Sequence, residues 1–429
     1  MSALLIRGGR VVDPAAGLDA ESDLLIEDGR VARIGAGLEA PAGAELLDAT
    51  GQVVAPGLID IHVHLREPGQ EAKETVATGV DAAVRGGFTA VACMANTAPV
   101  NDSRLVTERI LGAAVGAGKA RVHPVGAISR GLAGEVLAPF GELRAAGCVA
   151  FSDDGRPVSS AELMRRALEY ARHFDVPIVQ HAQDLDLSGD GVMHEGVASA
   201  CCGLPGIPGA AEDVMVARDL ILLEDTGGRY HVAHLSTARA LRLVREAKRR
   251  GLPVTCEVTP HHLLLDDRAV VESGFGSNWK MQPPLRSEED RAALVEGLAD
   301  GTVDAIATDH APHTPDEKAL EFQSAPFGIV GLETSLALGP DRLVRPGLIP
   351  LGRLIELMTI GPARALGLEG GTLAPGSVAD VTVIDLEREI DVVAARFASR
   401  GRNTPFEGWT LRGAAVATVV GGRLVHRLD

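Results

Sequence analysis

Cysteine is scarce in this 429-residue chain: Cys93, Cys148, Cys201, Cys202 and Cys256 are scattered and form no Cys-x-x-Cys pair. That excludes a disulfide framework and a thiolate zinc knot, and leaves most of these thiols as small apolar core residues. Any metal must then be held by histidine and carboxylate. Long hydrophobic runs are absent too: none reaches the roughly 20 residues that span a bilayer. The segment Met1 to Arg7 lacks the basic stretch and apolar core of a secretion signal. A cytoplasmic protein with no membrane partner is expected. Basic residues are in deficit, 41 against 58 acidic for a formal net charge of -17, and no block of like charge stands out. Nucleic acid is therefore not an expected partner.

What is present is apolar substance, 46% of residues, enough for a large core. Length alone suggests about two or three domains, although α/β barrels run long as single units. Eight short runs rich in Val, Ile and Ala read as buried parallel strands: Val53 to Val63, Thr89 to Met94, Arg121 to Ile128, Cys148 to Phe151, Pro177 to Val179, Tyr230 to Ala233, Pro253 to Val258 and Asp304 to Ala307. Amphipathic helical segments lie between them, among them Ala161 to Phe174, Ala211 to Leu223, Thr237 to Arg250 and Ser287 to Leu298, the first and third opened by Ser or Thr caps. Eight βα repeats predict a TIM (β/α)8 barrel over residues 56–365. The ends, 1–55 and 366–429, instead show short alternating segments with turn signals, which predicts one small β-sandwich domain built from both termini.

Chemistry-bearing residues fall at the ends of the predicted strands, where barrel enzymes place their active sites. His62 and His64 flank Val63 at the end of the first run; residues two apart on a strand share a face, so both imidazoles can reach one metal ion. Asp153 and Asp154 follow the fourth run, His181 the fifth, His234 the sixth, and Asp309 and His310 the eighth. So many ligand types in register predict a metal site. Adjacent Asp153 and Asp154 face opposite ways if the strand persists, so one ligand is expected of the two, and geometry does not choose. His231 is assigned to packing at a strand start, and His123, His173, His194 and His426 to structure. His261 and His262, near the mouth, are expected to orient loops or ligands.

The stretch Gly57-Leu58-Ile59-Asp60-Ile61-His62-Val63-His64-Leu65-Arg66-Glu67-Pro68-Gly69 resembles the signature of the dihydroorotases of the amidohydrolase superfamily. So do Ala95 to Thr97, Phe151 to Gly155, Glu257 to His262, Ile306 to His313 and Asn403 to Gly408, so the resemblance runs essentially end to end. It implies that His62 and His64 hold a first metal, His181 and His234 a second, that Asp154 bridges them, and that Asp309 completes the first site. It implies zinc, one or two ions, with Arg66, Asn96 and His313 gripping a substrate carboxylate and the backbone at Phe327 and Gly328 meeting the ring amides. Gln282 stands where the family usually has Asn, which predicts a shifted contact. Relatives that open hydantoin or dihydropyrimidine rings, and some dihydroorotases, bridge their metals with a carbamylated lysine. Here none of Lys73, Lys119, Lys248, Lys280 and Lys318 ends a third or fourth strand, so the aspartate-bridged type fits.

The expected activity is reversible interconversion of L-dihydroorotate and N-carbamoyl-L-aspartate in pyrimidine (UMP) biosynthesis. Opening a cyclic amide requires an activated water, a polarised carbonyl and a proton for the departing nitrogen; metal ions supply the first two, and a carboxylate such as Asp309 the third as general acid–base. Arg66 suits an acidic substrate, because a guanidinium grips a carboxylate with two parallel hydrogen bonds. Two other readings stand beside this one: another cyclic amidase, or an inactive homologue serving as structural partner of aspartate transcarbamoylase. The resemblance also implies a homodimer, with aspartate transcarbamoylase as a candidate partner. The polar stretch His313 to Ser324 is expected to be a mobile loop over the pocket.

Overall fold

The computed structural model describes residues 3–428; Met1, Ser2 and Asp429, at the outer ends of the two terminal segments, lie outside the described residues. Its centre is a parallel barrel whose eight strands are Leu58–Val63, Phe88–Cys93, Arg121–Gly126, Ala150–Phe151, Pro177–Gln180, Arg229–Val232, Val254–Val258 and Ala305–Ile306. Each pairs in parallel with its sequence neighbour. The ring closes where Val63 bridges His310 and the His64 N–H donates to the His310 carbonyl at 2.8 Å. Small residues fill the interior, where Ala90, Ala92, Ala150, Ala233, Ala305 and Ala307 pack with Ile59, Ile61, Val125 and Val179. The helix Ile360–Leu366 adds Ala363, Ala365 and Leu366 to that cluster.

The surrounding helices start where a hydroxyl satisfies a first-turn N–H that has no partner within the helix. Ser160 caps Ala161–Arg172, Thr237 caps Ala238–Arg249, and Ser287, which the sequence pattern did not single out as a cap, does the same for Glu288–Ala299. Each hydroxyl accepts from the N–H three residues on.

The apolar run from Val53 to Val63, read as one strand, is two. Val53–Pro56 belongs to the terminal sheet, pairing with Ala3–Asp13 and Val381–Asp391, and Leu58–Val63 opens the barrel. Gly57 is the crossing point. Its backbone presses so closely on Thr89 that a Cβ would overlap the threonine side chain. Apolarity continues through the junction because both sheets bury this segment, so hydropathy alone carries no sign of the break.

Strands from the two termini form one continuous mixed sheet, running Arg423–Arg427, Thr410–Val420, Val381–Asp391, Val53–Pro56, Ala3–Asp13, Leu18–Glu27 and Arg30–Gly35, with Glu45–Asp48 beside Ala3–Asp13. The sheet folds over a core of Leu24, Ile26, Val54, Val381, Val383 and Val419. Its far ends meet at the hairpin glycines: a Cβ on Gly422 would lie 2.8 Å from the Gly29 Cα. Among the described residues no helix is long and apolar enough to cross a membrane.

Candidate metal centre

The first barrel strand does not alternate strictly. Asp60 pairs with Val91 and Val63 with Cys93, three steps against two, so the strand carries one extra residue, a β-bulge. Ile59 and Ile61 face the interior, and the bulge returns His62 and His64 to the inward side at the barrel mouth while Val63 packs outward among helix residues. Backbone strain gathers at the same rim: Arg66, His234 and Asp309 have φ of +61°, +32° and +48°. Side-chain-bearing residues hold such angles only when their surroundings compel them, and such positions cluster at functional sites.

Asp154 lies at the centre. Its Oδ1 is 3.3 Å from His62 Nε2, 3.4 Å from His234 Nε2 and 3.6 Å from His181 Nδ1, and its Oδ2 is 3.4 Å from His64 Nε2. Asp309 Oδ1 stands 3.0 Å from His64 Nε2 and 3.6 Å from His62 Nε2. Asp153 points elsewhere, accepting from the Ile128 and Ser129 N–H groups at 2.8 and 2.9 Å, so it fastens the loop after the third strand.

Burial alone would raise the Asp154 pKa, but the charge of His62 and the close approach of the His181 and His234 rings hold it well below the carboxylate range. Asp309 is likewise lowered against its burial, by a hydrogen bond from His64 and the nearby His62. Both are poised as anions. His62 Nε2 and Asp154 Oδ1 are fully buried without a hydrogen-bond partner, and His181 Nδ1 faces His234 Nε2 at 2.8 Å. Buried polar atoms are rarely left unsatisfied, and converging imidazole and carboxylate donors suit a divalent transition ion. Two triads meet the spacing for an ion, His62 with His64 and Asp154, and Asp154 with His181 and His234, their donor atoms within 4.8 Å of one another.

A second layer holds the rings. Glu257 Oε1 lies 2.6 Å from His62 Nδ1 and Oε2 lies 3.1 Å from His231 Nε2. Burial pushes Glu257 up, yet His62 and His231 bring it down to about 2. His64 Nδ1 pairs with Asn96 Oδ1 at 2.9 Å, and His181 Nε2 with Gln183 Oε1 at 3.1 Å. Glu257 and Gln183 received no role from the sequence. The signal existed in principle: each ligand-type histidine needs an acceptor for its other ring nitrogen, and Glu257 lies in the seventh strand while Gln183 follows closely on the fifth.

The cluster floors a cavity of about 320 Å3 whose wall includes Arg66, Asn96, Gln282, His313, Phe327 and Gly328. Arg66 lies beyond the first barrel strand, as His64 does. The strand ends at Val63, and the left-handed turn at Arg66, with Nε donating to the Pro312 carbonyl at 3.3 Å, brings the guanidinium to the pocket. His313 Nε2 pairs with the Phe327 carbonyl at 2.8 Å. The Gly328 N–H donates to the Lys280 carbonyl at 2.9 Å, and a Cβ on Gly328, whose φ is +122°, would lie 2.8 Å from the Ala311 Cβ. This glycine answers a packing need in the protein itself.

The stretch from His313 to Ser324 has structure of its own, a short helix Pro315–Lys318 with Thr314 and Glu317 forming a capping box. Lys318 Nζ donates to the carbonyls of Pro326 and Gly328, each at 3.0 Å, and Lys280 Nζ to those of Gln323 and Ala325 at 2.9 and 2.8 Å. Asn403, from the segment leading to the terminal sheet, donates to the Ala311 and Gly328 carbonyls at 3.0 Å each. A larger groove of about 690 Å3, lined by His194, Val197, Cys201, Cys202 and Val271, lies apart from the cluster.

A parallel barrel with four histidines and two carboxylates converging at the carboxyl ends of its strands defines a hydrolase of the amidohydrolase kind. Residues 51–240 match the profile of the Dihydro-orotase-like family and residues 223–426 that of the Amidohydrolase family. A dihydroorotase of Anaeromyxobacter sp. (strain K) is 61% identical over 425 residues, covering 99% of this chain and 98% of its own. One from Pelotomaculum thermopropionicum is 56% identical, covering 98% of each. Among solved structures, the L-hydantoinase of Arthrobacter aurescens superposes with a TM-score of 0.89 over 100% of this chain and 98% of its own, at 26% identity. The chain belongs to the dihydroorotase family.

Proposed function

We propose that the barrel mouth is a two-zinc centre for reversible opening of L-dihydroorotate to N-carbamoyl-L-aspartate. His62, His64 and Asp309 would hold one ion, His181 and His234 the other, and Asp154 both. The position of Asp154 between the two histidine pairs is the observation that carries this reading. Bound there, zinc supplies Lewis acidity toward the amide carbonyl and the attacking water.

The protein's own groups do the rest. Asp309, ionised and at the rim, accepts a proton as a water O–H bond breaks, and returns it to the ring nitrogen as the C–N bond cleaves; in the cyclising direction the transfers reverse. Arg66, with Asn96 and His313, receives the substrate carboxylate. Burial lowers the Arg66 guanidinium to about 10 while Asp309 and Asp154 act to raise it, so it remains cationic at neutral pH. Gln282 and the Phe327–Gly328 backbone bound the ring. An inactive structural homologue is disfavoured, because each ligand position is filled by a residue able to bind metal. Hydantoinases share the fold at 23–28% identity, against 54–61% for the dihydroorotases. The same reading carries the expectation of a cytoplasmic homodimer, with aspartate transcarbamoylase, which also handles N-carbamoyl-L-aspartate, as a candidate partner.

The test is turnover of dihydroorotate by purified protein of measured zinc content, beside Asp309→Asn. The wild type should turn over dihydroorotate faster than hydantoin or dihydrouracil, and the variant should lose turnover at unchanged metal content. Near-normal activity of the Asn variant would remove Asp309 from its role, and faster hydantoin opening would overturn the substrate.

A further inference from the structure

The histidines of the cluster do not all present the same nitrogen. His62 and His64 have Nδ1 engaged, by Glu257 and Asn96, and turn Nε2 toward Asp154. His181 is reversed: Nε2 meets Gln183 Oε1 at 3.1 Å, and Nδ1 faces Asp154 at 3.6 Å and His234 at 2.8 Å. A neutral imidazole carries one N–H, and the partner of one nitrogen decides whether the other is free to bind.

Gln183 is itself held. Gln282, from a different loop 99 residues along the chain, donates its Nε2–H to the same Gln183 Oε1 at 2.5 Å. A carbonyl oxygen has two lone pairs, so two donors satisfy it and fix the amide with its oxygen toward His181. Gln183 is 6% exposed, which leaves little water to compete.

We propose that Gln183 and Gln282 form a positioning pair that locks His181 in the Nε2–H tautomer and so makes Nδ1 its metal-binding atom. Gln282 acts on the second ion through Gln183, in addition to bounding the substrate pocket. The inference rests on the two-zinc reading for its consequence and on the amide chain for its cause. Glutamine at position 282 has the length to cross to Gln183. An asparagine there, one methylene shorter, would leave the Gln183 oxygen with a single donor.

Two measurements test it, neither of them an assay of turnover. In metal-free protein, 15N NMR of the histidine rings should report His181 as the Nε2–H tautomer in the wild type and a mixture in Gln183→Leu. In chelator competition, Gln183→Leu should weaken the second zinc equivalent about 10- to 100-fold and spare the first, the usual loss when a ligand's outer partner is removed. Gln183→Glu, which keeps the acceptor, should restore it. Gln282→Leu should weaken it less, and add nothing in the Gln183→Leu background; it decides the matter alone if the latter does not fold. An Nδ1–H tautomer in the wild type, or unchanged second-zinc affinity in both leucine variants, would overturn the proposal. If the wild type binds one ion only, the two-zinc reading fails, and the tautomer in metal-free protein still decides this inference.

Discussion

Glu257 Oε1 sits 2.6 Å from His62 Nδ1, while its other oxygen takes His231 at 3.1 Å. One buried carboxylate thus orients a ligand-type ring on the first strand from the seventh, and the His234 N–H donates to it as well, at 3.3 Å. Replacing it by Gln keeps the volume but removes the charge that a histidine N–H prefers as acceptor. Glu257→Gln is expected to weaken binding of the proposed zinc about 10- to 100-fold. Release to a competing chelator, compared with wild type, measures this; unchanged release would reduce Glu257 to packing.

Arg66→Lys keeps one positive charge and discards the planar fork. The loss of a bidentate carboxylate contact should cost about 1.5–3 kcal/mol, or roughly ten- to hundred-fold in kcat/KM for dihydroorotate. Dihydrouracil lacks the carboxylate, so its slower turnover should barely change. The ratio of the two specificity constants is the readout, and an equal fall for both substrates would mean that Arg66 supports the loop rather than the ligand.

The barrel and the terminal sheet were legible because their strands are buried on one or both faces and therefore marked by apolar runs. The convergence of His62, His64, His181 and His234 was legible because strand ends in such a barrel open to one mouth. What the pattern concealed depends on backbone detail. The bulge between Asp60 and Val63, which brings His62 back to the inward side, leaves no compositional trace. The division of Asp153 from Asp154 turns on which carboxylate finds the Ile128 and Ser129 amides, a contact across 25 residues of chain. Gln183 and Gln282 are ordinary polar residues until the fold sets them 2.5 Å apart.

The short helix Pro315–Lys318, which follows the pocket residue His313, should loosen in acid. Burial raises the Glu317 carboxyl, but the Lys73 ammonium at 2.8 Å, the Thr314 N–H and His313 bring it down from 4.5 to about 2. A carboxylate whose folded pKa is depressed contributes stability that is fully present above its unfolded value. That contribution is therefore complete above pH 4.5 and disappears as pH falls toward 2. Glu317 is partly exposed, so the effect is local and salt-sensitive. Amide hydrogen exchange over 314–318, after correction for intrinsic rates, should lose protection between those limits in the wild type, and Glu317→Gln should remove the dependence.

Gly57 joins the terminal sheet to the first barrel strand, and its N–H donates to the Asp380 carbonyl at 2.8 Å. Thr89, on the neighbouring strand, occupies the space a side chain would need, while its hydroxyl donates to the Leu58 carbonyl at 3.2 Å. Gly57→Ala must push these two strands apart or shift the crossing. Overpacking of this kind costs about 1–3 kcal/mol. Thr89→Ala clears the hydroxyl and methyl but leaves the Thr89 Cβ 2.8 Å from the new one, so relief should be partial. The double variant should then be less destabilised than the sum of the singles, by about 0.5–3 kcal/mol, as expected for residues in direct contact. Urea midpoints of the four proteins measure the coupling. Simple additivity would mean that the junction yields elsewhere, and that Thr89 is not what makes glycine necessary at position 57.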